Sequence, residues 1–148
     1  AYEIYQCDWS SDVCSSDLGS GEPLLEFREM MRRLRAECAW KREQTHESLL
    51  PFLAEEAEEV AEAVREGDPD HLREELGDLL LQVYFHAAIA EEEGRFTLDD
   101  VVAGLAEKMR RRNPHVFGTP EQRAEAAGLG AEEVSRRWEE IKAAEREA

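Results

Sequence analysis

The sequence predicts an all-α protein, most simply a four-helix bundle with an additional C-terminal helix. From residue 19 onward, apolar residues recur at spacings of three and four, which is typical of amphipathic helices. Proline, glycine and capping residues divide this pattern into segments of helical length. The chain has 148 residues and 42% hydrophobic content, which is enough material for one folded domain.

The first predicted helix opens at Pro23, because proline is favoured in the first turn of a helix, and it ends near Cys38. The segment CAWKREQT that follows is interpreted as a connection. A second helix starts between Thr45 and Pro51 and ends before Gly67, a residue type that commonly caps helices. The apolar stripes expected to face the core are Leu24, Phe27, Met31 and Leu34 on the first helix, and Leu53, Ala57, Val60 and Val64 on the second.

Capping residues mark the starts of the third and fourth helices. Asp68 and Pro69 form an N-cap followed by a first-turn proline. Thr97 is followed three residues later by Asp100, as in a capping box. The Gly/Pro-rich stretch VFGTPEQRAEAAGLG separates the fourth helix from a last one. The predicted core stripes are Leu72, Leu76, Leu79, Val83 and Ala90 on the third helix, Leu98, Val101, Leu105 and Met109 on the fourth, and Val134, Trp138 and Ile141 on the last.

The first 18 residues differ from the rest of the chain. Their sequence, AYEIYQCDWSSDVCSSDL, has no basic residue and no helical period. It resembles the translation of a short-read sequencing adapter. We therefore expect residues 1–18 to be non-native and disordered, and residues 19–148 to form one domain. We also expect the natural N-terminus to be missing, and the sequence leaves open whether a second domain follows Ala148.

Charge and composition exclude several classes of function. The formal net charge is −17, or −13 without residues 1–18, which contain four acids and no bases. Such an acidic surface repels phosphate backbones, so we expect no stable nucleic-acid binding. No apolar run approaches the roughly 18 residues that span a membrane. The three scattered cysteines form neither a disulfide framework nor a zinc cluster, which favours a reducing cytoplasm.

Two pairs of acidic residues carry the candidate chemistry. Glu56 and Glu59 are three residues apart beside the predicted core stripe of the second helix, and Glu75 and Asp78 repeat this arrangement on the third. Carboxylates this close repel one another and lose hydration, and a bound cation would offset both costs. If the helices pack antiparallel, the four side chains can converge on a hard cation, Mg²⁺ or Mn²⁺. Solvated surface acids are the alternative interpretation.

The segments EEAEE and EELGD, on consecutive predicted helices, resemble the EExxE…ExxD pattern of the MazG nucleoside triphosphate pyrophosphohydrolases. The segments MRRLRAECAWKREQTHESLLPFL, RRRNPHVFG and WEEIKAAER resemble further parts of that family, so the resemblance covers about residues 24–146. It implies a MazG fold and a cytoplasmic homodimer that uses Mg²⁺ to hydrolyse nucleoside triphosphates to monophosphate and pyrophosphate, in housecleaning of the nucleotide pool. The metal ligands and catalytic residues that it implies are Glu56, Glu59, Glu75 and Asp78.

Basic side chains are expected to meet the phosphates that the metal leaves exposed. Lys108 and Arg112 lie four residues apart and share a helix face, although a basic helix end that complements the helix dipole explains them equally well. Trp138, beside Val134 and Ile141, is expected to pack in the core, and stacking on a base is the alternative that makes it a substrate-binding candidate. The resemblance adds three positions, so the substrate-binding candidates are Lys41, Arg42, Lys108, Arg112, Trp138 and Lys142.

The chain departs from the family pattern in the segment CAWK, where the family has CPWD. Ala39 replaces the proline and Lys41 replaces the acid, which leaves the base and sugar preference undetermined. Two alternative functions stay open. The chain resembles the N-terminal copy in members with two MazG domains, so it can be a catalytically silent domain for dimerisation or regulation. It can also be a non-enzymatic, acidic helical interaction module.

Overall fold

The structure is a computed structural model, and it describes residues 23–147. The segment that resembles an adapter lies outside the described residues, so its expected disorder and the single domain over residues 19–148 stay predictions. All regular structure in residues 23–147 is helical, which confirms the all-α prediction. The helices described are α1 (Pro23–Glu37), α2 (Ala39–Glu43), α3 (Leu50–Glu66), α4 (Pro69–Glu92), α5 (Leu98–Arg112), α6 (Pro114–Phe117), α7 (Pro120–Glu125) and α8 (Ala131–Glu147).

The helix ends follow the capping chemistry of the sequence. The Asp68 side chain accepts a hydrogen bond from the backbone N–H of Asp70 at 2.9 Å. Thr97 and Asp100 form the predicted capping box, in which each side chain accepts a hydrogen bond from the other residue's backbone N–H. Gly67 ends α3 in the left-handed conformation, with a φ of 75° that favours glycine. The sequence therefore predicted the ends of α3, α4 and α5 from local hydrogen bonding.

Three short helices lie where the sequence predicted connections. The segment CAWKREQT contains α2, and the Gly/Pro-rich stretch contains α6 and α7. Thr119 caps α7 in a capping box with Gln122, and Pro120 opens its first turn. Helices of four to six residues are too short to show an apolar period, so the interpretation of these segments as plain connections was wrong.

The chain divides into two compact units, one that carries α1–α4 and ends at Arg95, and one that starts at Phe96 and carries α5–α8. In the first unit, α4 packs against both α1 and α3. Its largest fully buried apolar side chains are Met31, Leu49 and Phe85. Because α4 lies between two helices, most of its C-terminal half is buried.

The predicted core stripes of α3 and α4 are right only in part. Ala90 is fully buried as predicted, and Leu53, Val60, Leu72 and Leu79 are half-buried. Val64 is 60% exposed and Leu76 is 49% exposed, although both belong to those stripes. The buried face of α3 instead carries Glu56 and Ala63, and the buried face of α4 carries Glu75. Apolar period identifies a stripe on each helix, but it does not say which neighbour covers that stripe. Other predicted core residues that are exposed are Leu24, Ala57, Val83, Val101 and Leu105.

No helix within residues 23–147 is long and apolar enough to cross a membrane.

Candidate functional site

The candidate site forms where α3 and α4 pack side by side in opposite directions. A turn capped by Gly67 reverses the chain, and there His71 Nδ1 lies 2.8 Å from Glu66 Oε2. At the other end of the helix pair, His46 Nδ1 lies 2.7 Å from His86 Nδ1. The antiparallel packing that the sequence analysis assumed is therefore present, and it turns the acidic rows of the two helices toward each other.

Three of the predicted carboxylates meet in this pair of helices. Oxygen atoms of Glu56, Glu75 and Asp78 lie within 4.8 Å of one another, which is close enough for one cation to contact all three. Glu56 is only 7% exposed and Glu75 is 9% exposed. Buried carboxylates need a compensating charge, and carboxylate oxygens suit hard divalent cations. The donor set therefore fits Mg²⁺ or Mn²⁺.

The pKa values of the clustered carboxylates also favour a bound cation. Burial, together with the negative charges of Asp78, Glu59 and Glu75, raises the pKa of Glu56 to about 7. Burial also raises the pKa values of Glu75 and Asp78, and neighbouring carboxylates raise them further. The cluster thus concentrates negative charge in a place that is poorly hydrated. A bound cation would relieve both the repulsion and the lost hydration.

Glu59, the fourth predicted ligand, lies beside the cluster rather than inside it. Its carboxyl group is half-buried and hydrogen-bonds that of Glu56. Its charge contributes to the raised pKa values of Glu56, Glu75 and Asp78 alike. Glu59 therefore adds negative charge next to the three clustered carboxylates, but it is not one of the three.

His71 is a part of the site that the sequence analysis did not identify. Its Nε2 lies 3.1 Å from Glu75 Oε1, while its Nδ1 reaches Glu66. The hydrogen bond to Glu66 and the nearby negative charges raise the pKa of His71. His71 therefore links Glu75 of the cluster to Glu66 at the end of α3. The four-residue spacing between His71 and Glu75 on one helix was the available signal.

The remaining acids of α3 face water, as their helical phase predicted. Glu58 Oε1 lies 3.1 Å from Arg65 Nη1, and both side chains are exposed. An exposed pair of this kind contributes little to stability. The other exposed acids of the helix are Glu55, Glu62 and Glu66.

Three of the predicted substrate-binding residues come together in the second unit. The Arg112 guanidinium lies 5.2 Å from the centre of the Trp138 ring, and Lys142 Nζ lies 4.8 Å from it. Glu145 holds both Arg111 and Arg112 at 2.6 Å, and these hydrogen bonds lower its pKa to about 2. Trp138 is thus a half-buried ring with two cations against it, rather than a closed core residue.

A cleft of about 210 Å³ opens beside this group, and Arg112, His115 and Trp138 are among its lining residues. Pockets that enclose a drug-sized ligand measure roughly 300–1,000 Å³. The cleft is therefore large enough for one part of a nucleotide and too small for all of it.

The other predicted substrate-binding residues lie elsewhere. Lys41 Nζ is 5.4 Å from the centre of the Trp40 ring and 5.6 Å from that of Phe85, within the first unit. Arg42 is exposed, and its Nη1 lies 3.5 Å from the carbonyl oxygen of Ala36.

Lys108 is exposed on α5, one turn before Arg112. The structure does not group Lys108 with Trp138 and Lys142.

Comparison with known proteins identifies the family. Residues 44–117 match the sequence profile of the MazG nucleotide pyrophosphohydrolase domain. The chain belongs to the MazG family. The matched segment includes all of α3 and α4, and with them the carboxylate cluster.

Several named proteins are similar to this chain in sequence. The nucleoside triphosphate pyrophosphohydrolase/pyrophosphatase MazG of Thermotoga maritima is 48% identical over 82% of this chain and 44% of its own length. The nucleoside triphosphate pyrophosphohydrolase of Escherichia coli K12 is 43% identical over 83% of this chain and 44% of its own length. The Mycobacterium tuberculosis protein of the same name is 43% identical over 90% of this chain and 40% of its own length. The chain therefore spans less than half the length of these relatives.

A solved structure supports the MazG fold. The crystal structure of a mazG-related protein from Thermotoga maritima superposes with a TM-score of 0.65 at 32% sequence identity. The match covers 80% of this chain and 97% of the other. The all-helical architecture is therefore that of a known MazG-related protein.

Proposed function

We propose that this chain hydrolyses nucleoside triphosphates to the nucleoside monophosphate and pyrophosphate. The observation that carries the proposal is the buried cluster of Glu56, Glu75 and Asp78 within the segment that matches the MazG profile. Relatives whose names state this activity are 43–48% identical to the chain. Since the chain covers less than half of each relative, the activity of the whole protein is part of the proposal.

Mg²⁺ is the proposed cofactor, with Mn²⁺ as the alternative. Glu56, Glu75 and Asp78 would hold it, and the neighbouring Glu59 would add a further negative charge. When bound, such a cation neutralises phosphate charge and lowers the pKa of a coordinated water. The chain itself keeps these carboxylates on a buried face between two helices, and His71 orients Glu75 through the contact at 3.1 Å.

The proposed reaction breaks the anhydride bond between the α- and β-phosphorus atoms. Water adds to the α-phosphorus, and pyrophosphate leaves with the bridging oxygen. Basic side chains stabilise the phosphate charge that the cation does not reach. The candidates for this role are Lys41, Arg42, Lys108, Arg112 and Lys142, and Trp138 is the candidate for a contact with the base.

The decisive experiment follows the products in water enriched in ¹⁸O. We expect pyrophosphate release with Mg²⁺ over a panel of ribo- and deoxynucleoside triphosphates, with the label in the monophosphate. Label in the pyrophosphate would place the attack at the β-phosphorus, and orthophosphate with diphosphate would place it at the terminal phosphorus. Mg²⁺ binding without turnover would identify a silent MazG domain, and the absence of metal binding would identify an interaction module.

A homodimer is the proposed assembly. The predicted core stripes of α3 and α4 are left partly uncovered within one chain, as Val64 and Leu76 show. Further large apolar side chains on these helices, Leu50, Leu80 and Val83, are also exposed. Apolar surface of this extent on adjacent helices is typical of an interface. A second copy of the chain would cover the stripes that its own helices do not.

The cytoplasm is the proposed location. Nucleoside triphosphates and Mg²⁺ are abundant there, and Cys38 is a free thiol, which suits a reducing compartment.

A further inference from the structure

Gln82 is a fully buried polar side chain whose hydrogen-bonding atoms have no partner among residues 23–147. Its exposed fraction is 0%, and neither Oε1 nor Nε2 has a hydrogen-bond partner there. Buried amides are nearly always hydrogen-bonded, because leaving them unpaired is unfavourable. An amide that stays unpaired on both atoms is therefore one for which a ligand can supply the missing bonds.

The position of Gln82 connects it to the carboxylate cluster. Gln82 follows Asp78 by four residues and Glu75 by seven, so all three lie on the face of α4 that packs against α3. One helical turn, about 5.4 Å, separates Gln82 from Asp78 along the axis. Phe85, fully buried, follows on the same face. Gln82 thus lies one helical turn from Asp78, and its side chain is shielded from bulk water.

We propose that the Gln82 carboxamide binds the ribose 2′-hydroxyl group of the nucleotide whose phosphates the neighbouring carboxylates hold through a cation. This inference rests on the proposed function. The sugar is the part of a nucleotide that follows the α-phosphate, at a distance that one helical turn matches. A phosphate oxygen can only accept a hydrogen bond and would leave Oε1 unpaired. The 2′-hydroxyl group both donates and accepts, so it can satisfy both atoms of the amide.

The amide is covered in the ligand-free chain, so a nucleotide reaches it only after a small movement of the side chains around it. Once the sugar is in place, the two hydrogen bonds form out of contact with water, where their contribution to discrimination is greatest. The proposed consequence is a preference for ribonucleotides over 2′-deoxynucleotides. The base does not enter this contact, so the preference is the same for purines and pyrimidines.

The test compares the full chain with its Gln82→Met variant, using ATP, dATP, UTP and dUTP with Mg²⁺. We expect the variant to raise KM roughly five- to tenfold for ATP and UTP, as loss of hydrogen bonds predicts, and less than twofold for dATP and dUTP. An equal rise for all four substrates would assign Gln82 to a group that all four share, a phosphate or the 3′-hydroxyl, and would overturn the proposal. A rise confined to one base would also overturn it.

A purely structural role is distinguished by thermal unfolding of the ligand-free protein. Methionine matches glutamine in shape and removes an amide that has no partner among residues 23–147, so Gln82→Met is expected to keep or raise the melting temperature. The matched control is Gln44→Met, because Gln44 Nε2 donates to the Trp40 carbonyl at 2.9 Å and its Oε1 accepts from Ser48 Oγ at 2.8 Å. That variant is expected to lower the melting temperature. A loss of stability in Gln82→Met equal to that of Gln44→Met would overturn the proposal.

Failure of the proposed function has a different signature. If the wild-type chain releases no pyrophosphate, calorimetry with Mg²⁺ and α,β-methylene analogues of ATP and dATP still measures the sugar contact. Tighter binding of the ribose analogue to wild type, lost in Gln82→Met, would support the contact without turnover. If no nucleotide binds to the wild-type chain, both proposals fail.

Discussion

Arg35 and Glu92 form a two-point ion pair that joins α1 to the end of α4. Arg35 Nε lies 2.9 Å from Glu92 Oε1, and its Nη2 lies 2.5 Å from Oε2. The same guanidinium donates hydrogen bonds to the carbonyl oxygens of Lys41 and Gln44. One buried side chain therefore holds the backbone that leads from α2 into α3, the helix that carries Glu56.

Arg35→Met is expected to destabilise the protein substantially. The substitution removes the charge-assisted hydrogen bonds to Glu92 and to the carbonyl oxygens of Lys41 and Gln44, so we expect a loss of about 2–3 kcal/mol in the free energy of unfolding, measured with urea. The control is Arg33→Met, because Arg33 pairs with Glu37 at 2.9 Å on the exposed side of the same helix. Its expected loss is below about 1 kcal/mol. Equal losses in the two variants would contradict the structural role of Arg35.

Glu56→Gln is expected to stabilise the metal-free protein at alkaline pH. The pKa of Glu56 is raised to about 7 in the folded chain, above its ordinary value, so the folded protein binds a proton more tightly than the unfolded one. Wild-type stability should therefore rise as pH falls from above 7 toward the unfolded pKa of about 4.3. The variant lacks this dependence, so it should exceed wild type at pH 8 and match it near pH 4. Urea unfolding in EDTA across this range measures the difference, and Glu58→Gln, altered at an exposed position, should follow wild type.

Mg²⁺ affinity is expected to increase as pH rises through 7. A carboxylate must lose its proton before it binds a metal, and Glu56 keeps its proton up to about that pH. Calorimetry in buffers of different ionisation enthalpy counts the protons released on binding. We expect binding of Mg²⁺ to release protons near pH 6.5, and we expect that release to fall toward zero near pH 8.5. Proton release that does not vary over this range would show that Glu56 takes no part in binding the metal.

Substitutions of the acids at the cluster are expected to slow turnover, and substitutions of the exposed acids of α3 are not. Glu56→Gln and Glu59→Gln remove charge at the cluster, so each should lose at least the roughly 10–100-fold that disturbing a metal site costs. Glu58→Gln and Glu62→Gln alter exposed residues and should stay near wild type. Initial rates of pyrophosphate release, with parallel Mg²⁺ titrations, make the comparison. If Glu58→Gln weakened Mg²⁺ binding as much as Glu56→Gln, the assignment of the site to this face would be wrong.

Leu76→Glu is expected to dissociate the proposed homodimer. Leu76 is 49% exposed in one chain and belongs to an apolar stripe, so a charge there would be buried in the dimer and left unpaired. Light scattering coupled to size-exclusion chromatography should give the mass of one chain for this variant and of two chains for wild type. Met30→Glu, on an exposed part of α1, is the control and should remain dimeric. A wild-type protein with the mass of one chain would refute the dimer.

The tertiary structure alone decided which stripe of each helix is buried. The sequence predicted Leu53, Ala57, Val60 and Val64 as the core stripe of α3, but the stripe with Glu56 and Ala63 packs against α4 instead. The periodicity of apolar residues identifies the apolar face of a single helix. Either a neighbouring helix or a second chain can cover that face. For the same reason the carboxylates lie on the buried face itself, where their pKa values rise, rather than at its edge.

Features that depend on neighbouring residues could be predicted from the sequence: the all-helical class, the ends of α3, α4 and α5, and two acid pairs at a spacing of three residues. Caps and turns are local hydrogen-bonding events, so a short stretch of sequence specifies them. Three features depend on the packing of α3 against α4 and on the rest of the fold. Glu56 of one helix meets Glu75 and Asp78 of the next, His71 contacts Glu75, and Gln82 is buried with no hydrogen-bond partner among residues 23–147. These contacts depend on how two helices pack against each other, and that packing reflects the balance of buried area and charge over the whole pair rather than any local motif.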